Sequence, residues 1–288
     1  MVPGSQLMAN TNADYGSQLR ALSMEIYEQA KYWLFWSMVA RIGVYIIGLL
    51  AIISSSLSVA SPWIAALLAI VSELCLWWSD SRRSLAETLR RKSDMEDALG
   101  WEISSQEMSD VLARVPRKLR AKVEAASNRD TYFASSQEHG VVRALENLTE
   151  STWWSRFLAE KTAIIYLTLM IVLLVFSIAV LIVSIQTISN VSVLVVIGRV
   201  ITSTIMLLFS LRLLRSFWGY YTFSMKTGRL EEQAERLLRD EEPNEIQAIK
   251  LMNEYHLARA VSPLIPTWIW RWHRDELNKL WQDHRASH

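Results

Sequence analysis

The sequence predicts an all-α integral membrane protein: two transmembrane helical hairpins with helical regions on the cytosolic side. Three observations carry that prediction. First, Ala163–Ile185 (AIIYLTLMIVLLVFSIAVLIVSI) is a run of 23 residues with no charge, proline or glycine. At about 1.5 Å per residue it crosses a hydrocarbon core of roughly 30 Å as one helix, and a soluble domain seldom buries a helix that is apolar on every face for so long. Second, the composition is segregated. Hydrophobic residues make up 51% of the 288, charged residues 20%, and the net charge is +1. The mean hydropathy of only +0.14 averages near-chargeless blocks with strongly charged ones. Third, Lys and Arg flank only one set of ends of the apolar blocks, whereas the turns at the opposite ends carry none.

Residues 1–16 are expected as an unstructured tail, without the apolar core of a cleavable signal peptide. Residues 17–33 form an amphipathic cytosolic or interfacial helix, with Leu19, Leu22, Ile26 and Ala30 on one face. It leads into hairpin 1, residues 34–79, whose uncharged turn is Ser55–Ser61 and whose second span opens at Pro62. Residues 80–162 are a cytosolic helical region: a charged continuation of the second span to Leu99, a short helix over Ser105–Val115, another opened by Pro116, and a turn-rich stretch over Asn128–Gly140. A helix from Val141 runs without a breaker into hairpin 2, residues 163–211, whose turn is Gln186–Asn190. Residues 212–288 are a second cytosolic helical region, interrupted by Pro263 and Pro266.

The cations fix the expected orientation. Lys31, the Arg82–Lys92 cluster, Arg156, Lys161, Arg212 and Arg215 flank one set of ends. Positive residues stay on the cytoplasmic side, so both termini and the middle region face the cytosol and the two turns face outward. Thirteen tryptophans, most at the edges of apolar runs, suit interfacial anchoring. Cys75 is the single cysteine, which excludes an intramolecular disulfide framework. No phosphate-binding loop, nucleophile elbow or zinc motif occurs, and the five histidines are scattered. The expectation is therefore no enzyme, no catalytic residues, no metal and no cofactor.

Charges inside spans are costly and usually functional. Arg41 in the first span and Glu73 in the second lie at similar depth, where antiparallel helices can bring them together as an ion pair or as a polar lining. Arg199 lies two turns or more inside the fourth span, with no acid in the third or fourth span to meet it. A ring of Arg199 around an oligomer axis would favour anions; burial within one subunit is the plainer reading. These three are the pore or gating candidates. Near the C-terminus, Trp268, Arg271, Trp272 and Arg274 combine aromatic planes with cations, as nucleotide contacts do, although an interfacial helix has the same composition.

Three stretches carry a family resemblance: Arg129-Asp-Thr-Tyr-Phe-Ala-Ser, Arg143-Ala-Leu-Glu-Asn-Leu-Thr-Glu-Ser-Thr-Trp-Trp-Ser, and Glu254-Tyr-His-Leu-Ala-Arg-Ala-Val-Ser-Pro-Leu-Ile-Pro-Thr-Trp with the later Leu277-Asn-Lys-Leu-Trp281. With four spans in two hairpins, the chain resembles the bacterial four-transmembrane pore-forming effectors of anti-phage defence, which are related to the two-transmembrane SLATT effectors and include the channel component of Hailong-type systems. The resemblance implies a homo-oligomer in the bacterial inner membrane, with a tetramer favoured. It implies a nucleotide, cyclic nucleotide or short single-stranded DNA as ligand, made by an operon-encoded nucleotidyltransferase. Arg259, inside the third stretch, joins the ligand-binding candidates. A non-conducting membrane anchor for cytosolic partners is the alternative, and a small transporter ranks last because the spans contain few breakers.

Overall fold

The computed structural model describes residues 4–53, 57, 59–125, 133–188 and 190–286. Among these residues the regular structure is entirely helical. The elements are α1 (Gly4–Ile53), α2 (Ser61–Leu99), α3 (Ser105–Arg114), α4 (Arg117–Ala125), α5 (Val141–Thr187), α6 (Val191–Ser210), α7 (Leu213–Leu238), α8 (Glu245–Val261) and α9 (Thr267–Ala286). Four stretches are long and apolar enough to cross a membrane. Their best 18-residue windows reach mean hydropathies of 1.9 in α1, 1.5 in α2, 3.0 in α5 and 2.2 in the stretch that begins with α6. These mark a multi-pass membrane protein.

Local chemistry explains where the helices stop. Ser104 caps α3 in a reciprocal box with Glu107, while Asn190 and Asn244 cap α6 and α8 by accepting from Ser192 N and Gln247 N. Gly100, at φ 70°, ends α2 in the left-handed region that glycine enters freely. Arg212 is the exception. It separates α6 from α7 at φ 54°, where a side chain is strained. Helix already covers 4–16, where an unstructured tail was expected. Once the amphipathic helix from Ser17 is nucleated, each further residue adds a hydrogen bond at little extra cost. The Asn128–Gly140 connection lies partly outside the described residues, and so does most of the Arg129–Ser135 stretch.

The chain divides into two units, and the division falls inside α1, α2, α5 and α7. The first comprises Met1–Ala30, Asp80–Phe157 and Phe223–Ser262. Its core is built from the predicted face of α1 (Leu19, Leu22, Ile26) against Ala86 and Leu89 of α2, Met108 and Val111 of α3, Val115 just after it, and Leu119 and Val123 of α4. Gly16 of α1 lies against α2: a Cβ there would collide with the Glu96 carboxylate, and the Gly16 carbonyl accepts from Ser93 Oγ at 2.9 Å. Around this core, buried Asp94 accepts from Arg20 and Arg90, while Asp97 accepts from Arg143 and Asn147.

The second unit comprises Lys31–Ser79, Leu158–Thr222 and Pro263–His288. Within it, Trp33 meets Trp78, Ser37 meets Ser72, and Gly43 faces Leu68. The partner number falls as the α1 number rises, which is the register of antiparallel helices. The same unit holds the Pro-Leu-Ile-Pro-Thr-Trp stretch. Pro263 packs where a side chain on Gly219 would stand, the Leu264 carbonyl accepts from the buried Tyr220 hydroxyl at 2.6 Å, and Thr267 Oγ1 accepts from Lys31 Nζ at 3.0 Å. The stretch thus clamps onto α7 and α1.

Two substitutions test this clamp. Tyr220→Phe leaves the Leu264 carbonyl buried and unpaired, and should cost about 1–3 kcal/mol in thermal unfolding of the detergent-solubilised chain. Gly219→Ala meets the rigid Pro263 ring at 2.7 Å and should also lower the midpoint. Unchanged midpoints for both would refute the clamp.

Candidate functional site

The structure brings Arg41 and Glu73 together and adds two partners. Arg41 Nη2 donates to Glu73 Oε1 at 3.1 Å, Nε donates to Ser72 Oγ at 2.9 Å, and Nη1 donates to the Ser210 carbonyl at 2.7 Å. Ser210 is the last residue of α6. The last carbonyls of a helix lack intrahelical partners, so the guanidinium caps α6 while pairing with α2. The Arg41 side chain is 11% exposed, against 66% for Glu73. The cation is therefore held inside the unit and its counter-ion reaches outward.

Arg199 contrasts with this. It is exposed, and no hydrogen bond, ion pair or ring contact joins it to another described residue. Its level follows from a neighbour. Tyr45 Oη and Thr204 Oγ1 are 2.9 Å apart. Arg199 stands five residues nearer the start of α6, about 7.5 Å along its axis. That matches the α1 level near Leu50, some nine residues, or about 13 Å, from the level of Arg41 and Glu73. The structure thus separates Arg199 from the other two pore candidates.

The ligand candidates divide between the two units. Arg259 belongs to the first unit, where Nη2 donates to Tyr27 Oη at 3.1 Å, Nε lies 3.6 Å from Glu87 Oε1, and the guanidinium sits 5.2 Å from the Tyr27 ring centroid. Its cation ties α8 to α1 and α2. The other four lie on α9 in the second unit. Trp268 and Trp272 meet edge to face at 5.4 Å, Arg274 lies over Trp270 at 5.1 Å, and Arg271 is exposed. Ile269 and Leu277 form the buried side of α9.

Sequence reasoning missed a half-open cleft of about 320 Å³ between α2 and α8, lined by Asp80, Arg83, Glu87, Arg91, His256 and Leu257 among others. Its only signal was the Arg82–Lys92 cluster, read as a membrane flank. Arg83 closes one side by donating to the carbonyls of Arg259 and Ser262 at the end of α8. His256 is buried, and no described group bonds its Nδ1. Burial pushes its pKa down from 6.5 to about 4; Asp94 opposes the shift and Arg259, Arg90 and Arg91 reinforce it. Among the described residues no group of three or more His, Cys, Asp or Glu side chains is placed to hold a metal ion.

No protein-family model, no curated protein and no solved structure matches this chain.

Two outcomes follow from these contacts. Between pH 6.5 and 4 the native state binds fewer protons at His256 than the unfolded chain, so stability falls as pH drops through that window, by on the order of 3 kcal/mol at its foot. His256→Gln should flatten that part of a plot of melting temperature against pH; an unaltered slope would refute the assignment. Arg259→Ala leaves Glu87 near-buried without its cation, and should lower the melting temperature with no nucleotide present. An unchanged melting temperature would return Arg259 to the ligand candidates.

Proposed function

We propose that the chain is an oligomeric membrane channel of the bacterial inner membrane, an effector of anti-phage defence whose opening disrupts the membrane and arrests growth. Both termini, the middle region and the first unit lie in the cytosol on this reading, and the two short turns of the two transmembrane hairpins face outward, because the cations flank one set of ends. The gating ligand is a nucleotide or oligonucleotide made by a partner nucleotidyltransferase, as the family resemblance implies. Ligand binding on the cytosolic side biases two arrangements of the spans. α1, α2 and α5 each pass from a charged segment into an apolar one as a single helix, which gives the bias a rigid path.

The single observation that carries the channel reading is Arg199: an exposed guanidinium without a partner, in a helix otherwise free of charge. An anchor that only holds partners at a membrane has no use for such a residue, since a charge in lipid is costly. The non-conducting anchor remains the second reading because Arg41 and Glu73, paired within the unit, are what a static anchor would also contain.

Planar-bilayer recordings on the purified full-length chain separate the two. The channel reading expects unit conductances whose open probability changes with candidate nucleotides, and a shift in reversal potential away from anions for Arg199→Leu. Silence with and without nucleotides, or an Arg199→Leu chain indistinguishable from the original, favours the anchor.

A further inference from the structure

α6 has two unlike faces. Ile201 and Leu208 are buried, and Thr204 meets Tyr45, so one face packs within the subunit. The other face exposes Ser192, Val195, Arg199, Thr202, Met206 and Phe209. The gaps between them are three, four, three, four and three residues, which places them along one side of the helix. Beside them, nothing lies within 4 Å of where a side chain on Gly198 would stand, so that glycine leaves space open that its own subunit does not fill.

Exposure alone would say nothing, since the α5 span is also exposed at Val172, Val175, Phe176 and Ile182. That helix carries no charge from Ala163 to Ile185, and lipid suits it. The α6 face includes a guanidinium, and lipid does not suit it; its two hydroxyls, Ser192 and Thr202, donate to Asn190 Oδ1 and to the Gly198 carbonyl. Glu73 cannot meet Arg199 from a neighbouring copy. Copies inserted the same way hold Glu73 at the level of Arg41, about 13 Å along the helix from the level of Arg199. A lipid phosphate could also hold Arg199, and the cross-linking below tells that case from a neighbouring copy.

We infer that copies of this chain meet one another along the Ser192–Val195–Arg199–Thr202–Met206–Phe209 face of α6. The inference deepens the channel reading and rests on it in one respect: the seam then borders an aqueous axis in which the ring of Arg199 side chains is hydrated. The ring stands at the level of Leu50, toward the ends of the spans that the two short turns join. It would concentrate small anions there. α6 becomes the lining helix, and α5 the lipid-facing one.

Cysteine cross-linking in membrane vesicles tests this on the full chain. Cys75→Ser first removes the single native thiol. Thr202→Cys and Met206→Cys place one thiol on the seam, while Val175→Cys and Ile182→Cys place one on α5. With copper-phenanthroline as oxidant, the inference expects the two α6 variants to shift from monomer to dimer mobility on a non-reducing denaturing gel, and the two α5 variants to stay monomeric. Dimers at the α5 positions, or none at the α6 positions, overturn it; the second result is also what Arg199 held by a lipid phosphate would give. Ion flux from the same vesicles separates the two claims. Flux without seam cross-links removes this inference and leaves a channel lined by another helix. Seam cross-links without flux keep the interface and remove the channel.

Discussion

Lipid offers nothing to a free backbone carbonyl, and much of this structure follows from that constraint. α1, α2 and α5 meet it by never breaking: each runs from a charged segment into an apolar one as a continuous helix. The chain does break between α6 and α7, with Arg212 in the left-handed region. The break frees carbonyls at the end of α6, and Arg41 of α1 donates to the Ser210 carbonyl. The same guanidinium pairs with Glu73 and Ser72 of α2. One cation thus closes the end of one helix and fastens two others, which is reason enough for its presence inside an apolar segment.

Much of this was legible in the sequence. Hydropathy located the four long apolar stretches, and prolines marked the starts of α2, α4 and α9, because both signals are local. The contact of Arg41 with Glu73 was also readable, since a short turn between two helices makes equal distances from the turn meet. The Ser210 partner was not readable. It lies 169 positions from Arg41, and no periodic pattern records which carbonyl a guanidinium will reach. The partners of Arg259 were unreadable for a related reason. It looks like a ligand contact beside the tryptophans, yet its partners Tyr27 and Glu87 come from α1 and α2, far away in the chain. The helix over 4–16 was missed because composition reports weak helix formers, not the helix they extend.

The charges now sort by what holds them. Asp94, Asp97, Arg259 and Arg41 all have partners within their own unit, and their cost is offset there. On an exposed face of α9 Trp268 pairs with Trp272 and Arg274 with Trp270, opposite the buried Ile269 and Leu277. The Pro-Leu-Ile-Pro-Thr-Trp stretch has structural work on α7 and α1. Arg199 remains, with no partner among the described residues and a helical seam around it. It is the one charge in α6, and on the channel reading it faces water where Arg41 faces partners.

The account rests on where the bilayer lies relative to the charged segments, and side-specific thiol labelling of intact cells measures that directly. In a Cys75→Ser background, Leu57→Cys sits in the turn between α1 and α2, and Trp101→Cys sits just after α2. With a membrane-impermeant maleimide, Leu57→Cys should label in intact cells, and Trp101→Cys only after permeabilisation. Labelling of both positions from the outside, or of Trp101→Cys alone, would place no bilayer between them in the required sense and would contradict the four-span arrangement.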